Sequence, residues 1–109
     1  MTPKHGLSLQ TLARVGEVLR RFPEVEKATL FGSRAKGTHR PGSDIDLALA
    51  GQGLDWRTIS RIDDALDELL LPYNFSLIRL DAATDPDVAA HVGRVGVLLF
   101  DRNRELARR

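Results

Sequence analysis

Two aspartates one residue apart, Asp44 and Asp46, follow closely on a Gly32-Ser33 pair, with Arg34 and Ser43 between. Along a strand, side chains two apart share a face and sit roughly 7 Å from one another. Asp44 and Asp46 are therefore expected to point the same way, with Ile45 turned into the opposite layer. Two carboxylates aimed at one place repel unless a cation lies between them, and Mg²⁺ accepts one or two carboxylates together with phosphate oxygens and waters. That is the arrangement a nucleoside triphosphate needs. Taken alone, such a pair at a strand start also suits a solvated or turn-capping role, because most carboxylates lie in solvent.

Gly32-Ser33 adds a second half to the pattern. A glycine directly after a strand lets the backbone approach a bulky anion, and the Ser33 hydroxyl with nearby N–H groups can donate to phosphate oxygens. Arg34 can add a charge-assisted fork, and Ser43 fixes the entry to the next strand. By itself Gly-Ser is also an ordinary turn. The segment from Gly32 to Gly37 has the glycine spacing of a Walker A loop, but Thr38 and His39 stand where its lysine and hydroxyl should follow, so that motif is rejected. Lys36 and Arg40 are lesser candidates for phosphate contact and read first as solvated charges.

The elements that must hold these residues are legible in outline. Leu9, Leu12, Val15, Val18, Leu19 and Phe22 recur at helical spacing, so Ser8 to Phe22 reads as an amphipathic helix with Ser8 as N-cap and Pro23 as its end. Lys27 to Phe31 reads as a strand closed by Gly32-Ser33, with room for one helical turn over Arg34 to Gly37. Thr38 to Ser43, containing Pro41-Gly42, must be loop, and Ile45 to Ala50 is the second strand. Asp55 can cap a helix from Trp56 to about Leu70, with Ile59, Ile62, Leu66, Leu69 and Leu70 as one stripe. Asn74 to Leu80 reads as a third strand, Pro86 to about Arg94 as a helix, and Val97 to Phe100 as a short last strand. Arg102 to Arg109 reads as a charged tail free to fray. The pattern implies an α+β, two-layer domain, with a small mixed sheet of three to four strands and helices packed mainly on one face.

The 109 residues are one domain's worth of sequence, so any further substrate-binding module is expected from a partner. Sixteen basic and fifteen acidic residues leave a net charge of +1, which gives no global field for nucleic acid or an anionic membrane. There are no cysteines, which removes disulfides, thiolate zinc sites and cysteine nucleophiles together. No apolar run approaches the roughly 20 residues of a membrane span, and no signal-peptide segment follows Met1 to Gly6. A cytoplasmic address is the expectation.

Gly32-Ser33 followed by Ser43-Asp44-Ile45-Asp46-Leu47 resembles the nucleotidyltransferase fold of the DNA polymerase β superfamily, whose signature is Gly-Ser, a spacer, and Asp-x-Asp on the next strand. The chain is most similar to the minimal nucleotidyltransferases, small domains often encoded beside a helical HEPN partner in toxin–antitoxin pairs. The stretches "LLLPYNFSLIRL" and "VAAHVGRVGVLLFDR" resemble that family's third strand and its closing helix and strand, so the likeness runs from about Leu9 to Asp101. It implies one nucleotidyltransferase domain over residues 1–109. It also implies transfer of a nucleoside monophosphate, AMP from ATP or another triphosphate, to a hydroxyl on a HEPN-type partner encoded nearby. In that reading Gly32, Ser33, Arg34 and Ser43 serve the phosphates, and Asp44 and Asp46 are the catalytic pair that binds Mg²⁺ or Mn²⁺.

One departure matters. The family's active form carries a third carboxylate on the next strand, and alignment of "LPYNFSLIRL" puts Ser76 there. A serine weakens a second metal site and removes a base. Asp81 falls on the other face by period-two alternation. The alternative implied is an antitoxin subunit that binds nucleotide and its HEPN partner but catalyses little. RNA-end extension would need RNA-gripping domains for which 109 residues have no room, and no basic stripe replaces them, so nucleic-acid binding is not expected.

Other residues have plainer readings. His5, His39 and His91 lack the spacing of a zinc site, and His39 could at most touch a ligand from the phosphate loop. Trp56 reads as a core or partner-facing anchor and Tyr73 as a packing residue. Asp63, Asp64, Asp67 and Glu68 form a solvated acidic helix face.

Overall fold

The computed structural model describes residues 5–40, 42–81 and 83–107; Pro41, placed in the loop by the sequence, lies outside them, as do Arg108 and Arg109. Helix α1 spans Leu9–Arg20, and the Ser8 hydroxyl caps it by accepting from the Thr11 N–H at 3.1 Å. Strand β1 is Lys27–Phe31, helix α2 is Gly32–Lys36, and strand β2 is Ile45–Ala50. Helix α3 runs Trp56–Asp67 from the Asp55 cap, whose carboxylate accepts from the Thr58 N–H at 2.8 Å. Strand β3 is Phe75–Arg79, helix α4 is Pro86–Val95 behind the Asp85 cap, and strand β4 is Val97–Asp101.

The four strands form one mixed sheet in the order β3-β2-β1-β4. Strand β1 pairs antiparallel with β2 and with β4, with a register shift between Ala28 and Thr29 on the β4 side, while β2 and β3 run parallel. The pairing sorts the side chains by face. Ala28, Leu30, Ile45, Leu47, Leu49 and Phe100 fall on one side and join Val15, Val18 and Leu19 of α1 and Ile62 and Leu66 of α3 in the buried core. Thr29, Phe31, Asp46 and Ser76 fall on the other. There α4 covers only part of the sheet, with His91 edge-on to Phe31 at 6.3 Å. Packing on one face is thus heavy, and the second face stays open where Asp46 emerges.

Three segments differ from the sequence reading. Helix α3 ends at Asp67 instead of near Leu70; Leu70 takes a left-handed backbone (φ 55°) and is 88% exposed, so it leaves the apolar stripe. The extra turn is lost because the chain must reverse before Pro72, which cannot continue a helix. Trp56 is 73% exposed, with the Arg57 guanidinium 5.7 Å above its ring, so it is no core residue. The charged tail begins as helix α5, Arg102–Ala107, whose first residue is tied down: Arg102 donates to the Val25 carbonyl at 2.8 Å and the Phe22 carbonyl at 2.9 Å. Those carbonyls lie just past the end of α1, so a cation is favourably placed there.

Candidate functional site

The site forms where β1 ends and β2 begins. After Phe31 the chain turns at Gly32 (φ 72°), a left-handed conformation that side chains resist, and enters α2 at once. A Cβ on Gly32 would run into the Asp46 carboxylate, with Cγ of Asp46 only 3.2 Å away. The glycine is therefore required twice, for its backbone and for the space it leaves to the acid. No side chain caps the start of α2, so its leading N–H groups are not committed to one. Its far end closes through Gly37 (φ 79°), and Thr38 N–H donates back to the Ser33 carbonyl at 2.9 Å.

Asp46 stands opposite Phe31 on β1 and beside Ser76 on β3. It is half-buried, whereas Asp44, just ahead of the strand, is exposed. Burial pushes the Asp46 carboxyl above its ordinary value, and the charge of Asp44 pushes it further the same way. The two carboxylates thus act on one another across Ile45, whose side chain is buried in the opposite layer. A divalent cation would relieve both causes at once, since it replaces lost hydration and cancels the repulsion. The residues present therefore fit one Mg²⁺ or Mn²⁺ held by Asp44 and Asp46. Among the described residues no group of three or more His, Cys, Asp or Glu could hold a metal, so no third protein carboxylate joins them.

Ser76 accounts for that limit. It is exposed and is the register partner of Asp46 in a parallel pair, so it occupies the neighbouring position on the same face. Asp81 does not substitute: it lies past the end of β3, ion-paired to Arg79 at 2.7 Å and accepting from the Ala83 N–H at 2.8 Å.

Arg34 and Ser43 hold the loop together. The Arg34 side chain is 2% exposed, donates to the Ser43 carbonyl at 3.1 Å and the His5 carbonyl at 2.8 Å, and lies 4.7 Å over the Tyr73 ring. This arginine ties the N-terminal segment to the residue before Asp44, and Tyr73 packs as its spacing suggested. Nothing in the sequence tells that its side chain turns inward. The Ser43 hydroxyl accepts from the Arg40 N–H at 2.8 Å and fixes the approach to Asp44. Lys36 and Arg40 are exposed, as read. The acidic face of α3 is mixed, for Asp63 is only partly exposed and its carboxyl is raised by burial and then by Asp67 and Asp64.

Comparison with known proteins gives one family and one fold. The family profile described as "Polymerase beta, Nucleotidyltransferase" matches residues 14–105. A solved structure of a toxin–antitoxin with AMP-PNP is 25% identical, with a TM-score of 0.70 over 87% of this chain and 78% of that one. A tri-AMPylated Shewanella oneidensis HEPN toxin in complex with MNT antitoxin gives 22% identity and a TM-score of 0.65, covering 89% and 76%. The toxin–antitoxin MntA–HepT gives 20% and 0.67, covering 90% and 76%. No curated protein matches the sequence.

Proposed function

The chain belongs to the polymerase β nucleotidyltransferase family, and from that premise we propose that it transfers a nucleoside monophosphate, AMP from ATP, to a hydroxyl on a helical HEPN-type protein, as the antitoxin of such a pair. The observation that carries the reading is the close approach of the Asp46 carboxylate to Gly32, where no Cβ would fit, with the Asp46 carboxyl pushed above its ordinary value first by burial and then by the charge of Asp44. It brings an anion-tolerant backbone turn and a cation-seeking acid pair to one point. The solved toxin–antitoxin with AMP-PNP and the AMPylated HEPN toxin supply the nucleotide and the acceptor class.

In this reading Asp44 and Asp46 hold the cation, while Gly32 and Ser33 line the triphosphate with backbone N–H groups and a hydroxyl. Mg²⁺, when bound, would neutralise phosphate charge and strengthen the α-phosphorus as an electrophile. Arg34 contributes at one remove, keeping Ser43 and hence Asp44 in place through the Ser43 carbonyl. The acceptor hydroxyl attacks the α-phosphorus and gives its proton to water, the bond to the bridging oxygen breaks, and pyrophosphate leaves with the electron pair. Ser76 brings a hydroxyl but no charge to the acceptor's side, so this chain's transfer is slow relative to a site with three carboxylates.

The test is labelled ATP, Mg²⁺ and the protein encoded next to this one. The partner should become labelled, and Asp44→Asn with Asp46→Asn should abolish the label; equal labelling by wild type and double variant overturns the proposal. The pairing of Ser76 with Asp46 favours a second reading, an antitoxin that acts by binding its partner with little transfer. It requires the double variant to protect cells as well as wild type does.

A further inference from the structure

Helix α4 lies on the open face of the sheet. It packs against β1 and α2, and at Gly96, where it ends, a Cβ would come within 2.6 Å of the Thr29 side chain. From this helix His91 meets Phe31 edge-on, with ring centroids 6.3 Å apart. Phe31 is the residue before Gly32 and the register partner of Asp46. Across the sheet at this level stand His91 over Phe31 on β1, then Asp46 on β2, then Ser76 on β3. The imidazole is half-buried and makes no hydrogen bond to any described residue. Among the described residues only a His39 nitrogen is both buried and without a partner, so the nitrogens of His91 reach solvent.

That order decides which part of a nucleotide His91 can meet. In-line displacement at phosphorus puts the incoming hydroxyl and the departing pyrophosphate on opposite sides of the α-phosphorus. With the ion at Asp44 and Asp46 and the acceptor on the Ser76 side, the β- and γ-phosphates lie toward Phe31, Gly32 and α2, where His91 stands. Arg34 does not serve them, for it is 2% exposed and directs its donors to the His5 and Ser43 carbonyls. One divalent ion neutralises a triphosphate only in part, and an imidazole N–H is a donor that can also carry positive charge. His91 does not extend the metal site, since among the described residues no three of His, Cys, Asp or Glu are grouped to hold an ion.

We propose that His91 contacts the substrate, donating a ring N–H to the β- and γ-phosphates and holding them as pyrophosphate leaves. The inference rests on the nucleotidyl transfer proposed above. His91 supplies a hydrogen bond to the leaving group, whose charge grows as the bond to the α-phosphorus breaks, and takes no part in the bond changes themselves.

The experiment titrates the full chain, with Mg²⁺, with a non-hydrolysable ATP analogue, reading affinity by calorimetry and the histidine ring nitrogens by NMR. The His91 ring resonances should shift saturably in wild type. AMP, which lacks the β- and γ-phosphates, should leave them in place. His91→Phe keeps an aromatic ring against Phe31 but no donor, and should bind the analogue about tenfold more weakly, as loss of one charge-assisted hydrogen bond does. His91→Gln, which keeps a donor, should lose less. Melting temperatures show whether the variants fold, and the wild-type ring shifts decide the matter if they do not. Full affinity in His91→Phe, equal losses in both variants, unmoved ring resonances with the analogue bound, or an equal shift with AMP each overturns the proposal. Any of these alongside analogue binding that Asp44→Asn/Asp46→Asn abolishes leaves the metal centre standing and removes His91 alone. No binding to wild type, or undiminished binding in the double aspartate variant, overturns the transfer reading and this inference together.

Discussion

Replacing Asp46 by Asn is expected to stabilise the metal-free protein while abolishing its response to Mg²⁺. Asn keeps the shape that fits against Gly32 but removes the charge that burial and Asp44 both oppose. At ~7 Å, the spacing of alternate residues in a strand, two unit charges repel by ~0.6 kcal/mol in water and ~2.4 kcal/mol at an effective dielectric of ~20. Because Asp44 is exposed and Asp46 half-buried, the lower half of that range applies, about 1 kcal/mol, or ~4 °C in melting temperature for a domain of this size.

The sign follows from linkage. The folded Asp46 carboxyl has a raised pKa, so the folded state holds this proton more firmly than the unfolded chain does. The variant's advantage is therefore full above the raised folded value and fades as pH falls through it toward the ordinary carboxylate range. Saturating Mg²⁺ reverses the ranking, since only wild type gains; at ten times Kd the gain is ~1.4 kcal/mol. Thermal melts of both proteins across the acid range, with and without Mg²⁺, check this. A variant less stable than wild type without metal at neutral pH, or equally shifted by Mg²⁺, would show that the Asp44–Asp46 repulsion does not act as described.

Ser76→Asp places a third carboxylate beside Asp46, so it should add a second bound Mn²⁺ and raise transfer to the partner at least tenfold, read by labelled ATP. Gly32→Ala must hold a Cβ in left-handed backbone and against Asp46; it should lose ~2 kcal/mol of stability by denaturant titration and bind an ATP analogue at least tenfold more weakly by calorimetry. Leu70→Gly relieves a left-handed leucine that buries almost nothing, and should raise the unfolding midpoint by the equivalent of ~1 kcal/mol without changing nucleotide affinity.

What could be read from the sequence was what local chemistry decides. Strands β1 and β2 carry the boundaries that their apolar patterns gave, and the Ser8 and Asp55 caps sit where a side-chain oxygen precedes an apolar periodicity. Placing Asp46 on a strand after the Gly32 turn was enough to expect it on the face that the turn approaches, because period-two geometry leaves little choice. Long-range facts were not legible. Arg34 follows Gly-Ser and looks like a phosphate ligand, but its length lets it reach the His5 and Ser43 carbonyls and Tyr73, partners that only the fold brings together. The early end of α3 depends on how the chain turns toward β3, and α5 on Arg102 finding carbonyls beyond α1, distant in sequence.

In the proposed transferase Asp44 and Asp46 share one divalent ion with a nucleoside triphosphate, Asp46 from beside the Gly32 turn. Titration of Mn²⁺ into the protein with a non-hydrolysable ATP analogue tests it most directly, by counting ions. One ion per chain should bind together with the nucleotide, and none after Asp44→Asn/Asp46→Asn. Undiminished binding of ion and nucleotide in that variant, or no binding in wild type, would contradict it.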